Sequence, residues 1–289
     1  MLNLRIADVD ITVQGDINEY FIERTKSYAI NDSTINSGNK KININFKFVP
    51  HIEKPFGKVI TSNADRTWYY PEGADYAYYD INLETGQVIF DAKIKDNDIN
   101  ITVYDFHDEP EKDLTYPLLN STDMAARICL RNFDRFALHA SAIEFNGYGL
   151  AFSAKSGTGK STHTSLWQKS YPYVKMINDD SPIIRFEDEE TYIYGSPWAG
   201  STGINTNIKV PLKAIIFLEQ APENSIEKAD SLTCLKKIIT NMTIPMDKKL
   251  AEKAYDSINK LITSTNCYLL KCTPDERAVE VVKNCIANM

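Results

Sequence analysis

The sequence has few cysteines, no long apolar run and no excess of positive charge, and each absence excludes a class of protein. Its five cysteines are scattered and lack the spacing of metal ligands, so no structural zinc site is expected. No segment approaches the roughly 20 apolar residues that span a bilayer. The formal net charge is −7, which argues against nucleic acid and an anionic membrane as partners. The first residues lack the pattern of a signal peptide, and we expect a cytoplasmic protein.

The first part of the chain has the pattern of a β-rich domain. The 289 residues suffice for one large or two modest domains, and 43% of them are hydrophobic. Residues 4–13 and 41–48 alternate between apolar and polar side chains, as strands with one solvated face do. Residues 83–86 and 95–98 are predicted hairpin turns. We therefore predict a mostly antiparallel sheet. The dense tyrosines near residue 70 fit sheet positions or a peptide-binding surface.

The second part of the chain mixes helices and strands. A linker is predicted at 109–113, which gives a β-rich domain over 1–113 and a second domain over 114–289. The first is expected to recognise a substrate or to mediate assembly. The elements predicted for the second are helix 120–134, hairpin 137–153 with its turn at Asn146-Gly147, strand 173–178, hairpin 182–194, strand 213–219, helices 230–242 and 247–263, strand 267–271 and helix 274–287.

A glycine-rich stretch in the second domain predicts a nucleotide-binding P-loop. It follows the apolar strand 149–153 and precedes a helix, the context that such a loop requires. Lys160 is expected to reach the β- and γ-phosphates, and the Ser161 hydroxyl to bind Mg²⁺. Ala154 stands where such loops usually have their first glycine. Alanine is tolerated there if the backbone has a negative φ. The alternative is an ordinary connecting loop. The predicted nucleotide-binding residues are Ser156, Gly157, Thr158, Gly159, Lys160, Ser161 and Thr162.

Three other features are candidates for the chemistry. Asp179 and Asp180 follow an apolar strand, and two carboxylates there can divide metal binding and proton acceptance. An Asp-rich turn is the alternative. His139, on the strand before the Asn146-Gly147 turn, lies near the phosphates or is a buried core histidine. Residues 195–203 either position the acceptor or only connect two strands, with Trp198 packed on the sheet.

Four of these motifs together resemble the catalytic domain of HPr kinase/phosphorylase. They are Leu138-His139-Ala140, Tyr148–Phe152, Ser156–Ser161 and Asp179-Asp180, at spacings closely similar to those of that family. The glycine-rich core is also similar to that of ATP-dependent phosphoenolpyruvate carboxykinase, which shares the nucleotide-binding fold. The resemblance covers about residues 135–220, and the β-rich part matches neither family.

The resemblance implies a fold and a set of roles. It implies an α/β (α+β) chain, in which a P-loop domain with a mixed sheet, like that of HPr kinase and phosphoenolpyruvate carboxykinase, follows the β-rich domain. Asp179 becomes the proton acceptor and Asp180 the carboxylate on the metal. Lys160 contacts the γ-phosphate, and His139 belongs to the active site. Two departures are that Ala140 replaces the family's glycine and that the family's later metal-binding glutamate has no counterpart near 198–203.

The function expected from these features is that of a kinase. It uses ATP and Mg²⁺ and transfers the γ-phosphoryl group to a hydroxyl, namely that of serine in a peptide, in a protein or free. The acceptor is not expected to be HPr, because the HPr-specific region is not recognisable. The alternatives are a carboxykinase-like lyase and a non-catalytic nucleotide-binding module. The choice between ATP and GTP, a homo-oligomer and the reverse, phosphorylase reaction stay open.

Overall fold

The computed structural model describes residues 1–35, 40–105, 115–187, 190–241 and 248–287. The chain forms two compact units. Unit 1 is built from Met1–Phe133, and unit 2 from Asp134–Pro245 and Lys249–Met289, with Met246–Lys248 grouped with unit 1. The linker predicted at 109–113 and the boundary at 113 lie outside the described residues. Among the residues described, no helix combines the length and the apolar character needed to span a membrane.

Unit 1 holds an eight-stranded mixed sheet with the order β1-β2-β3-β8-β7-β6-β5-β4. Its strands are β1 (Leu2–Ile6), β2 (Val9–Gln14), β3 (Lys41–Val49), β4 (Lys58–Ser62), β5 (Arg66–Tyr70), β6 (Tyr76–Ile81), β7 (Val88–Lys95) and β8 (Asp98–Tyr104). Its helices are α1 (Glu19–Thr25) and α2 (Thr115–Arg131). The sheet is mostly antiparallel, as predicted, but β3 pairs in parallel with β2 and with β8.

The prediction of a single strand over residues 4–13 is wrong. Ala7 and Asp8 have φ values of 48° and 59°, and the chain reverses there into the β1–β2 hairpin. Neither residue is a glycine, so the turn is hidden in an otherwise regular alternation of apolar and polar residues. The hairpin turns predicted at 83–86 and 95–98 are confirmed, because they join β6 to β7 and β7 to β8.

Helix α2 belongs to unit 1, although the sequence analysis grouped it with the second domain. The Tyr78 hydroxyl of β6 donates a hydrogen bond to the Ser121 carbonyl oxygen of this helix. The Cys129 thiol donates to the Asp96 carbonyl oxygen. Tyr78 is fully buried and its ring lies 4.6 Å from that of Trp68, so this tyrosine is a core residue of the sheet.

Unit 2 holds a nine-stranded mixed sheet between two helical layers. Its strands are β9 (Arg135–Ala137), β10 (Ser141–Phe145), β11 (Tyr148–Ser153), β12 (Lys175–Asn178), β13 (Ile183–Glu187), β14 (Glu190–Tyr194), β15 (Lys209–Gln220), β16 (Ser225–Lys228) and β17 (Asn266–Cys272). Its helices are α3 (Lys160–Ser170), α4 (Ser231–Thr240), α5 (Lys248–Ser264) and α6 (Glu276–Ile286). The main strand order is β12-β10-β11-β15-β14-β13-β9, with β17 beside β15 and β16 beside β17.

The apolar residues of unit 2 form one core on each face of its sheet. Trp167 of α3 and Val279 of α6 pack with Phe152 in one core. Ile238 of α4 and Ile258 of α5 belong to the other. This arrangement gives a three-layer α/β unit.

The strand directions bring the functional motifs to one edge of this sheet. Strands β11 and β12 both run antiparallel to β10 and therefore run in the same direction. Strand β15 pairs in parallel with β11 and with β17. The carboxyl ends of β11, β12, β15 and β17 consequently meet at one edge, where open α/β sheets bind their ligands.

Candidate functional site

The glycine-rich loop joins β11 to α3, in the order strand, loop and helix that the sequence predicts. Gly157 and Gly159 have φ values of +78° and +111°, which favour glycine. A Cβ atom added at either position would meet no heavy atom of the described residues within 4 Å, so the space beside the loop is open. Ala154 does not have a positive φ and is buried, so alanine is compatible with this position.

Lys160, the first residue of α3, extends its ammonium group back along the loop. Its Nζ donates to the Ala154 carbonyl oxygen at 3.0 Å and lies 3.0 Å from His139 Nε2. Burial lowers the pKa of Lys160, and the charges of Asp180 and Asp179 partly offset this effect. Among the described residues no carboxylate forms an ion pair with Lys160, so its charge is available to an anionic ligand.

His139 does not lie on a strand, as the sequence analysis predicted, but in the connection between β9 and β10. Strand β9 pairs with β13, whereas β10 pairs with β11 and β12, so the chain crosses from one part of the sheet to another here. The Ala140 backbone N–H donates to the Asp180 carbonyl oxygen at 3.0 Å, which holds the connection in place. His139 Nδ1 lies 3.2 Å from Asp180 Oδ1. The imidazole therefore joins Lys160 to Asp180.

Asp179 and Asp180 follow β12 but differ in environment. Asp179 is only 6% exposed. Its Oδ1 accepts a hydrogen bond from Ser141 Oγ at 2.6 Å, and its Oδ2 accepts one from Thr202 Oγ1 at 2.9 Å. The Asp180 side chain is 31% exposed, and its Oδ2 accepts from Ser181 Oγ at 2.7 Å. One carboxylate is fixed by hydroxyl groups, and the other is open to solvent.

Asn178 is a site-building residue that the sequence analysis missed. It is fully buried, and its Oδ1 accepts from the backbone N–H groups of Asp180 and Ser181 at 2.8 and 2.5 Å. Its Nδ2 donates to the carbonyl oxygens of Ser196 and Trp198 at 2.8 and 3.3 Å. The asparagine thus ties the aspartate turn to the segment 195–203. An asparagine directly before a polar turn is the signal that could have identified this role.

The segment 195–203 packs against the two aspartates. Trp198 is buried, and a Cβ atom added at Gly200 would lie 3.1 Å from Asp180 Cβ. Gly200 has a φ of +58°, so an added side chain would be both crowded and strained here. Thr202 donates to Asp179. The segment therefore forms one wall of the site. It also connects two strands, with Trp198 buried.

These residues surround a cavity of about 320 Å³. It is lined by residues 199–202 and by every predicted site residue except Thr158, namely His139, Ser156, Gly157, Gly159, Lys160, Ser161, Thr162, Asp179 and Asp180. Thr158 lines two neighbouring cavities. The cavity combines a lysine, open backbone and two carboxylates, which suits a phosphate-bearing ligand.

Replacing Asn178 with alanine should destabilise unit 2. The change leaves two backbone N–H groups and two carbonyl oxygens without their buried partner, and we expect the free energy of unfolding to fall by about 3 kcal/mol. Denaturant titration measures this fall. Asn259→Ala, at an exposed position of α5, is the control and should change stability by less than about 0.5 kcal/mol. If Asn178→Ala lowered the free energy of unfolding by no more than the control does, the hydrogen bonds of Asn178 would not stabilise unit 2.

No protein-family model matches the chain, and no curated protein sequence matches it significantly. Solved structures with a similar chain path include the Hpr(Ser) kinase/phosphatase from Coxiella burnetii. The alignment covers 53% of this chain and 88% of that chain, with a TM-score of 0.32 and 11% sequence identity. A likeness this distant says nothing about the reaction of this chain, and its function has to follow from the geometry of its own residues.

Proposed function

We propose that this protein is a kinase that transfers the γ-phosphoryl group of ATP to a hydroxyl group. The acceptor is serine in a peptide, in a protein or free. The observation that supports this proposal best is the shared cavity of Lys160, Asp179 and Asp180 at one edge of the sheet. Phosphoryl transfer needs a cation on the phosphates, a carboxylate on the metal and a group that orients the acceptor hydroxyl.

The glycine-rich loop and the start of α3 bind the phosphates in this proposal. The first backbone N–H groups of a helix have no partner within the helix and carry partial positive charge, which attracts phosphate. The open space beside Gly157 and Gly159 lets phosphate oxygens approach the backbone closely. Lys160 then exchanges its contact with His139 for the γ-phosphate.

Asp179 accepts the proton of the acceptor hydroxyl in this proposal. The hydroxyl groups of Ser141 and Thr202 hold its carboxylate in one orientation beside the cavity. Each carboxylate oxygen has two lone pairs, so both oxygens retain the capacity to accept a further hydrogen bond. A carboxylate fixed in this way is suited to orient a substrate hydroxyl, because little reorganisation is needed during the reaction.

Ser161 and Asp180 fit the binding of Mg²⁺. Within the described parts of the chain, no three His, Cys, Asp or Glu residues form a group that could hold a metal on its own. Mg²⁺ does not need such a group, since it takes most of its ligands from water and substrate phosphates and only one or two from the protein. A hydroxyl and a half-exposed carboxylate beside the same cavity suit this mode. When bound, the ion neutralises charge on the phosphates.

The proposal is tested by transfer of labelled phosphate. The full chain is incubated with γ-labelled ATP, Mg²⁺ and a panel of free serine, serine-containing peptides and proteins encoded beside it. We expect label on a serine hydroxyl of at least one acceptor, and labelling at least about 100-fold slower with Asp179→Asn. ATP turnover that requires oxaloacetate would replace the proposal with a carboxykinase-like reaction. Tight ATP binding with no transfer to any acceptor would favour a nucleotide-binding module.

A further inference from the structure

Two more cavities adjoin the glycine-rich loop, on opposite faces of the sheet. The larger, of about 670 Å³, lies beside α4 and is lined by Lys155, Lys236 and Lys237. The smaller, of about 350 Å³, lies between α3 and the carboxyl ends of β15 and β17. We infer that the smaller cavity, which we call the apolar recess, binds the base and ribose of the nucleotide. This inference rests on the proposed function.

The direction of the phosphate chain leads to the apolar recess. The γ-phosphate end is defined by the cavity that contains Lys160 and the two aspartates. The apolar recess shares Gly157, Gly159 and Thr162 with that cavity, and it also contacts His163 and Leu166 on the next turn of α3. A triphosphate that lies over the start of α3 therefore leaves the phosphate cavity at Thr162, where the recess opens.

The lining of the apolar recess matches an uncharged, flat group. Its walls include Leu166, Leu218, Ala221 and Pro274, and no charged side chain of the described residues lines it. His163, also in its wall, is only 3% exposed. Its Nε2 accepts a hydrogen bond from the indole of the buried Trp167 at 3.2 Å. A cavity of this size with apolar walls suits a nucleoside.

The larger cavity is less suitable for a nucleobase, because its lining is charged. Lys237 forms an ion pair with Glu219, whereas Lys155 and Lys236 have no ion-pair partner among the described residues. Both of these lysines are exposed, and their positive charges attract anionic groups. This cavity therefore suits an anion better than a base.

The apolar recess should discriminate only weakly between purines. Two of its polar side chains, Gln220 and Thr273, already have partners in the protein. Gln220 Nε2 donates to the Thr158 carbonyl oxygen at 3.2 Å, and Thr273 Oγ1 donates to Asp275 Oδ2 at 2.9 Å. Strong selection requires buried polar groups that are left unpaired by the wrong ligand. We therefore expect the affinities for ATP and GTP to agree within about tenfold.

The inference is tested by filling each cavity with a bulky side chain. Ala221→Trp fills the apolar recess, and Thr240→Trp fills the larger cavity as its matched control. Binding of ATP, GTP and inorganic tripolyphosphate is measured by calorimetry in the presence of Mg²⁺. We expect Ala221→Trp to weaken the binding of ATP and GTP at least about tenfold and to leave the affinity for tripolyphosphate unchanged. Thr240→Trp should change none of the three affinities. The opposite pattern would place the nucleoside in the larger cavity and overturn the inference.

A second measurement uses the unmodified chain, in case Ala221→Trp does not fold. Cys272 is half-buried in the wall of the apolar recess, and Cys285 on α6 provides an internal reference. ATP should slow alkylation of Cys272 at least about fivefold, as measured by mass spectrometry, whereas tripolyphosphate should not. If ATP binds but leaves Cys272 unprotected, the apolar recess does not bind the nucleoside, whereas the kinase proposal stands. If the chain binds neither ATP nor tripolyphosphate, both the inference about the apolar recess and the kinase proposal are wrong.

Discussion

Replacing Lys160 with alanine should reduce phosphoryl transfer by about 10²- to 10³-fold or more. The ammonium group is buried beside the open glycine-rich loop, and among the described residues no carboxylate neutralises it through an ion pair. Its interaction with the phosphates therefore takes place in a site of low dielectric constant, where a charge contributes far more than it does in water. Single-turnover transfer rates and calorimetric ATP affinity measure the loss together.

The matched control for this variant is Lys155→Ala. Lys155 belongs to the same loop, but it is exposed and lines the larger cavity instead of the phosphate cavity. The change removes one positive charge from the loop, as Lys160→Ala does, so a general effect of charge should appear in both variants. A specific contact with the γ-phosphate should appear only with Lys160→Ala. Unchanged affinity and turnover in both variants would exclude phosphate binding by this loop.

Replacing Asp179 with asparagine should lower the transfer rate by about 10²- to 10⁴-fold and leave ATP affinity nearly unchanged. Asparagine keeps the shape of the side chain but does not accept a proton at neutral pH. Its carbonyl oxygen can still accept from Ser141, whereas its NH₂ group cannot accept from Thr202. The Thr202 hydroxyl has a second acceptor in the Ala199 carbonyl oxygen at 3.1 Å, so the wall of the site stays hydrogen-bonded.

The neighbouring change, Asp180→Asn, separates proton transfer from metal binding. Asp180 is half-exposed, and its neutralisation should raise the Mg²⁺ concentration that gives half the maximal rate. A Mg²⁺ titration of single-turnover rates compares the two variants. If Asp179→Asn shifts the Mg²⁺ requirement and Asp180→Asn does not, the two roles are exchanged. If neither variant slows transfer, the two aspartates form only a turn.

The local part of the site could be predicted from the sequence. The order of strand, glycine-rich loop and helix depends on residues close together in the chain, and Lys160 and Ser161 follow from it. The convergence of Asp179 on this loop depends on strand pairing, because β10 lies between β11 and β12. The resemblance to HPr kinase/phosphorylase predicted that Asp179 lies near the loop. The periodicity of the sequence alone does not predict this.

The supporting residues could not be predicted, because their partners are distant in sequence. Ser141 and Thr202 hold the same carboxylate from two different segments. His139 sits in a connection because β9 and β10 pair with different strands, which no local pattern records. The β1–β2 turn at Ala7-Asp8 was missed for the opposite reason, since its residues lack the glycine or asparagine that marks most tight turns.

Strand β15 also determines how unit 2 unfolds. Its first residues pair with β14 in the antiparallel part of the sheet, and its last residues lie between β11 and β17 in the parallel part. Both parts lose a neighbouring strand when β15 detaches. The strand therefore couples the two parts of the sheet, and we expect the buried amides of 215–217 to exchange with solvent only through global unfolding. Cooperative stability thus reaches from the antiparallel edge to the phosphate cavity.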